Sequence, residues 1–66
     1  MNIHVNGNTQ NLPEACSLTS LLHLLELAEK CVAVEINDEV IPRSQHTTHV
    51  LAEGDRIEII HAIGGG

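Results

Sequence analysis

The chain contains no Phe, Trp or Tyr. Its core must therefore be assembled from Leu, Ile, Val and Ala, and it lacks the aromatic platforms on which single-stranded nucleic acids stack. Cations are nearly as scarce: Lys30, Arg43 and Arg56 stand against nine carboxylates, for a formal charge of −6. That balance repels a phosphate backbone and favours approach to a basic protein surface. Cys16 and Cys31 are the only cysteines. They are too far apart for a paired-ligand motif and too few to staple a secreted domain of this size, so both are expected as reduced thiols in the cytoplasm. The apolar run from Leu21 to Ala28 is interrupted by His23 and Glu26 and falls far short of the ~20 residues of a membrane span. No basic segment precedes an apolar stretch at the start, so no leader is expected.

What is present has the size of one domain, 66 residues. Such a chain buries only about 60% of the surface its unfolded form exposes, and it cannot easily enclose a small-molecule cavity. Any chemistry is expected on an edge, on a tail or inside a partner.

Met1, Ile3 and Val5 alternate with Asn2, His4 and Asn6, the period of a half-buried strand. Asn6-Gly7 supplies the positive φ angles of a tight hairpin turn, and Thr9 to Leu12 is the returning strand, closed by Pro13. The period then changes. Ser17 is placed to cap a helix in which Leu18, Leu21, Leu22 and Leu25 form one stripe, widened by Leu24 and Leu27. The helix is expected to end near Glu29 or Lys30, where a cation suits the negative end of the dipole. Cys31 to Ile36 returns to strand, Asn37-Asp38 makes a second turn, and Glu39 to Ile41 is a short strand stopped by Pro42. Arg43 to His49 is polar, with room for one short helical turn, and Val50 and Leu51 are expected in the core. Glu53-Gly54-Asp55 is a turn signal, Arg56 to Ile63 is a final strand, and Gly64-Gly65-Gly66 ends the sequence.

The order hairpin, helix, strand, strand, loop, strand lets the last strand lie parallel beside the first, with one helix covering one sheet face. The expected fold class is α+β: a β-grasp, ubiquitin-like arrangement with a mixed sheet of four to five strands packed on one helix. Residues 1–63 form the domain and 64–66 a flexible glycine tail. In the last strand Ile57 and Ile59 point inward, which leaves Glu58, Ile60 and Ala62 outward. Two readings of that apolar pair are open: a partner-binding patch rimmed by Glu58, or a bulge that turns Ile60 back into the core.

The five histidines lack Cys or carboxylate partners at ligand spacing. His46 and His49 are expected as surface polar residues, and no metal site is expected. Cys31 is expected as a small buried hydrophobe and Cys16 as a neutral position before the helix. Neither shows the supporting base a reactive thiol needs.

With its glycine ending, the chain resembles the ThiS-type sulfur carriers of thiamine biosynthesis, and more distantly the MoaD-type carriers of molybdopterin synthesis and ubiquitin. The resemblance spans the whole chain. It rests on Met1-Asn2-Ile3-His4-Val5-Asn6-Gly7, on Leu21-Leu22, and on Val34-Glu35-Ile36-Asn37 followed by Val40-Ile41-Pro42-Arg43. Glu53-Gly54-Asp55, Ile57-Glu58-Ile59-Ile60 and Gly65-Gly66 complete it. Gly64 departs from a bare Gly-Gly ending but is compatible with the family.

The resemblance implies a carrier rather than an enzyme, with no bound cofactor, whose working group is the Gly66 carboxylate. A terminal carboxyl has a reference pKa of about 3.5 and is an ionised, poor electrophile at neutral pH. The implied partner is a ThiF-like adenylyltransferase that uses ATP to make an acyl-adenylate. A cysteine desulfurase-derived sulfur source then yields a thiocarboxylate, and a ThiG-like thiazole synthase consumes it. Gly64 and Gly65 would thread the partner's active site, since glycine passes a narrow tunnel in whatever φ and ψ the tunnel imposes. The open alternatives are a carrier for molybdopterin or another metabolite, and a ubiquitin-like interaction module or protein modifier.

Overall fold

The structure, a computed structural model, describes residues 1–61. Ala62, Ile63 and the three glycines lie outside the described residues. The strands are β1 (Asn2–Val5), β2 (Asn8–Asn11), β3 (Val32–Ile36), β4 (Glu39–Ile41) and β5 (Arg56–His61), and the one α-helix among the described residues is α1 (Leu18–Leu24). They build a five-stranded sheet in the order β2-β1-β5-β3-β4. β1 and β5 run parallel, while β1–β2, β3–β4 and β3–β5 are antiparallel. This is the mixed β-grasp sheet expected from the order of elements.

Period-2 alternation decides which side chains meet α1. Ile3 and Val5 of β1, Val34 and Ile36 of β3, Ile41 of β4 and Ile57 and Ile59 of β5 are buried in one cluster with Leu18, Leu21 and Leu22 of the helix. Each such aliphatic side chain contributes on the order of 1.5–3 kcal/mol on leaving water. Both hairpins close through two-residue turns in which each residue has positive φ: Asn6 and Gly7 at +49° and +85°, Asn37 and Asp38 at +52° and +70°. These angles match the right-handed twist of the flanking strands.

The helix begins as expected and ends early. The Ser17 hydroxyl accepts from the Ser20 amide at 3.1 Å, a standard N-cap bond. At the other end the Leu27 amide donates to the Leu22 carbonyl at 2.7 Å and the Glu26 amide to the His23 carbonyl at 3.0 Å. These two bonds define a Schellman terminus. Glu26 occupies its left-handed position at φ +61°, a place usually taken by glycine, and for that reason the composition did not mark the stop. Leu27 packs against the core as part of the turn, but Leu24 is 62% exposed, so the apolar stripe is narrower than the spacing of leucines suggested.

Four further expectations are corrected. His46 is 7% exposed rather than a surface residue: its Nε2 donates to the Ile41 carbonyl at 3.1 Å. The polar segment around it satisfies the first turn of α1, because the His46 and His49 carbonyls accept from the Thr19 and Leu18 amides at 3.1 and 2.9 Å. Cys16, expected as a neutral position before the helix, is buried, and Cys31, expected to be buried, is exposed. The Leu51 amide reaches the Cys16 carbonyl at 2.9 Å, which draws residue 16 inward, whereas Cys31 precedes β3. Val50 is exposed; only Leu51 enters the core.

Relief of the left-handed strain checks the helix stop directly. Glu26→Gly is expected to raise unfolding stability by about 0.5–1 kcal/mol in urea titrations.

Candidate functional site

β5 is the last described strand and precedes the glycines in the sequence. It lies between β1 and β3, with ladder partners on both sides. The register against β3 runs without interruption from Ile36↔Ile57 to Val32↔His61. There is no bulge in this stretch, and Ile60 stays outward, 51% exposed. Glu58 is exposed on the same face.

Two asparagines extend the ladders on β5 beyond the backbone. At the β1–β2 turn, Asn6 Oδ1 accepts from the Ile59 amide at 2.9 Å. Its Nδ2 approaches the Ile59 carbonyl at 3.4 Å, and its own amide donates to the Ile57 carbonyl at 2.9 Å. At the β3–β4 turn, Asn37 Oδ1 accepts from the Arg56 amide at 3.0 Å, and the Asn37 amide donates to the Arg56 carbonyl at 2.8 Å. Both are first residues of two-residue turns with positive φ, a conformation asparagine tolerates well. The sequence signalled the turns but not this second use of their side chains.

The outward sheet face carries Val40 on β4, Ala33 and Glu35 on β3, and Glu58 and Ile60 on β5. Glu35 stands opposite both Val40 and Glu58, and Ala33 stands opposite Ile60. The neighbouring cation on β5, Arg56, is directed to Asp38 at 3.5 Å.

Of the candidate residues, Ile60 and Glu58 are therefore brought to one exposed face. Ala62, Gly64, Gly65 and Gly66 lie outside the described residues. Among the described residues, no three His, Cys, Asp or Glu side chains gather closely enough to hold a metal ion, and no helix is long and apolar enough to cross a membrane.

The ThiS family model matches residues 3–66. The chain belongs to the ThiS family. The crystal structure of the thiamine biosynthesis protein ThiS from Geobacter metallireducens superposes with a TM-score of 0.85 at 35% identity, covering 100% of both chains. Sulfur carrier protein ThiS of Escherichia coli is 29% identical over 66 residues, again covering 100% of each. A thiazole synthase of Magnetococcus marinus is 44% identical over 66 residues, and the chain spans only 20% of its length. The Geobacter protein thus shares the β-grasp fold with this chain, and the thiazole synthase contains a ThiS-like stretch within a longer chain.

The asparagine contact is open to a clean substitution. Asn6→Gly keeps a residue suited to positive φ but removes the amide that holds Ile59. It is expected to lower unfolding stability by about 1–2 kcal/mol in chemical denaturation.

Proposed function

We propose that this chain is a sulfur carrier of thiamine biosynthesis, acted on by other enzymes rather than catalytic itself, and that its reacting group is the Gly66 carboxylate. The observation that carries the reading is the end-to-end correspondence with ThiS chains, in which the family match extends through residue 66. The central position of β5 supports it, since the strand leading to the glycines is held from both sides.

In the proposed sequence, a carboxylate oxygen of Gly66 attacks the α-phosphorus of ATP within a ThiF-like adenylyltransferase, and pyrophosphate leaves. A sulfur nucleophile from a cysteine desulfurase-derived source then attacks the acyl carbon. The C–S bond forms, the C–O bond to AMP breaks, and AMP departs with the electron pair. With hydrosulfide as the nucleophile the product is the thiocarboxylate and one proton. A persulfide donor would instead form an acyl disulfide that a thiol must reduce. The thiocarboxylate passes its sulfur to a thiazole synthase, a partner supported by the ThiS-like stretch inside the Magnetococcus enzyme.

Each residue proposed for the tail has a physical role. A Cβ at Gly65 or Gly66 would meet the tunnel wall, the nucleotide or the incoming sulfur, and glycine avoids this while adopting the φ and ψ required. Threading Gly64 to Gly66 costs conformational freedom, which contacts of the folded body must offset. Ile60, with Ala62 two residues further along the sequence and Glu58 at the rim, is proposed to contribute to those contacts. The cytoplasm is the proposed location, in keeping with two cysteines that form no disulfide among the described residues.

Intact-mass spectrometry tests the proposal. After incubation with ATP, adenylyltransferase and sulfur source, the chain is expected to gain the mass difference between one sulfur and one oxygen. The gain should vanish when Gly66 is deleted. Its persistence in the deletion variant, or conjugates of higher mass in place of the gain, would contradict the carrier reading.

A further inference from the structure

We propose that the cleft between α1, the turn preceding β3 and residues 43–47 binds the phosphate group of a small anionic molecule, held by Lys30, Arg43 and the ring of His46. The site is independent of the carrier reading and lies away from the outward sheet face.

The starting observation is where the few cations stand. The chain has three of them against nine carboxylates. Lys30 and Arg43 both line one cleft, and Glu29 is the one carboxylate among its lining residues. Elsewhere eight carboxylates, nine less Glu29, stand against Arg56 alone. Arg56 is engaged by Asp38 at 3.5 Å, whereas Lys30 and Arg43 have no ion-pair partner among the described residues. So acidic a chain repels anions over most of its surface, and at this cleft the sign reverses.

The walls of the cleft are fixed by hydrogen bonds. The His46 carbonyl accepts from the Thr19 amide at 3.1 Å, and the Thr19 hydroxyl donates to the Thr47 hydroxyl at 3.5 Å. Arg43 opens the 3-10 turn Arg43–Gln45, and its carbonyl accepts from the His46 amide at 3.1 Å. The Lys30 amide donates to the Leu27 carbonyl at 3.0 Å in the turn after α1. Groups held in place beforehand lose less freedom when a ligand arrives.

His46 is an independent pointer to an anion. Its ring is 7% exposed and lines the cleft. Nε2 donates to the Ile41 carbonyl, so Nδ1 of the neutral ring carries no proton. Nδ1 makes no hydrogen bond among the described residues, where no buried side-chain nitrogen lacks a partner, so it reaches water. A proton added at Nδ1 leaves the Ile41 bond intact and makes the ring a cationic donor. The groups facing it are His23 from α1, Glu29 and Lys30 from the turn before β3, and Arg43 from its own segment. β4 presents the Ile41 carbonyl. Lys30, Arg43 and a protonated His23 oppose the added proton, Glu29 favours it, and a bound anion offsets the repulsion. Anion binding and protonation of His46 are therefore linked.

Size and shape restrict the occupant. The cleft holds about 260 Å³, below the ~300–1,000 Å³ of drug-sized pockets. It has room for a phosphate with a small substituent and not for a nucleotide. The guanidinium fork of Arg43 suits two oxygens of one phosphate, and the Lys30 ammonium adds a point charge.

The test is two-dimensional NMR of the full chain, titrated with inorganic phosphate in place of chloride at constant ionic strength. Saturable shifts are expected at the Lys30, Val32, Arg43 and Thr47 amides, with Kd on the order of 1–10 mM. Lys30→Gln and Arg43→Gln, each at an exposed position, are expected to keep the dispersed spectrum of the folded chain and to raise Kd about fivefold or more. Arg56→Gln removes the same charge elsewhere and is expected to hold Kd within about twofold. Between pH 5 and 8, the His46 ring is expected to titrate at higher pH in sulfate, whose charge is constant there, than in chloride, while the His4 ring does not move. Shifts that do not saturate or that scatter over the surface, equal losses in Arg43→Gln and Arg56→Gln, or a His46 titration indifferent to sulfate would each overturn the proposal.

Discussion

The parallel pairing of β1 with β5 is the constraint on which the rest of the structure depends. Only two ladder positions join these strands, His4↔Arg56 and Val5↔Ile57, yet they link residues separated by most of the chain. They place the last strand in the middle of the sheet rather than at its edge. Because β3 occupies the other side of β5, each hairpin contributes one neighbour, and the helix between them covers the shared inner face through Leu18, Leu21 and Leu22. At Ile57 β5 has ladder partners on both sides, so this part of the strand cannot peel away without breaking two ladders. Asn6 and Asn37 add side-chain bonds to the same strand from opposite sides.

That arrangement separates two tasks that a chain this small would otherwise confuse. Residues that hold the domain together point inward or bond laterally, while the outward face is left to a sheet surface of mixed apolar and acidic character. The proposed reacting group sits beyond β5 and asks nothing of the core. A thin, aromatic-free core is sufficient because no cavity has to be shaped within it.

Much of this was legible in the sequence, and the parts that were not have identifiable causes. Alternation in Ile3 and Val5, the Asn6-Gly7 turn and the Ser17 cap all act through local backbone chemistry, and local chemistry leaves a pattern. Ile57 and Ile59 announced the inner face of β5 in the same way. The early end of α1 was hidden because Glu26 fills a left-handed position without being glycine or asparagine. The burial of His46 depends on a carbonyl five residues earlier, at Ile41, a contact that no periodicity encodes. The burial of Cys16 was not legible because the contact of Leu51 with residue 16 joins segments far apart in the chain. On the functional side, Ile60 and Glu58 were legible as outward residues, but Glu35 and Val40 become their neighbours only once β3 has paired with both β5 and β4.

Native-state hydrogen exchange on the β5 amides tests the central constraint most directly. If β5 is held on both sides as described, the Ile57 and Ile59 amides exchange only through global unfolding, with a free energy and denaturant dependence equal to those of the whole domain. Exchange of these amides through a local opening of much lower free energy, insensitive to denaturant, would contradict the account.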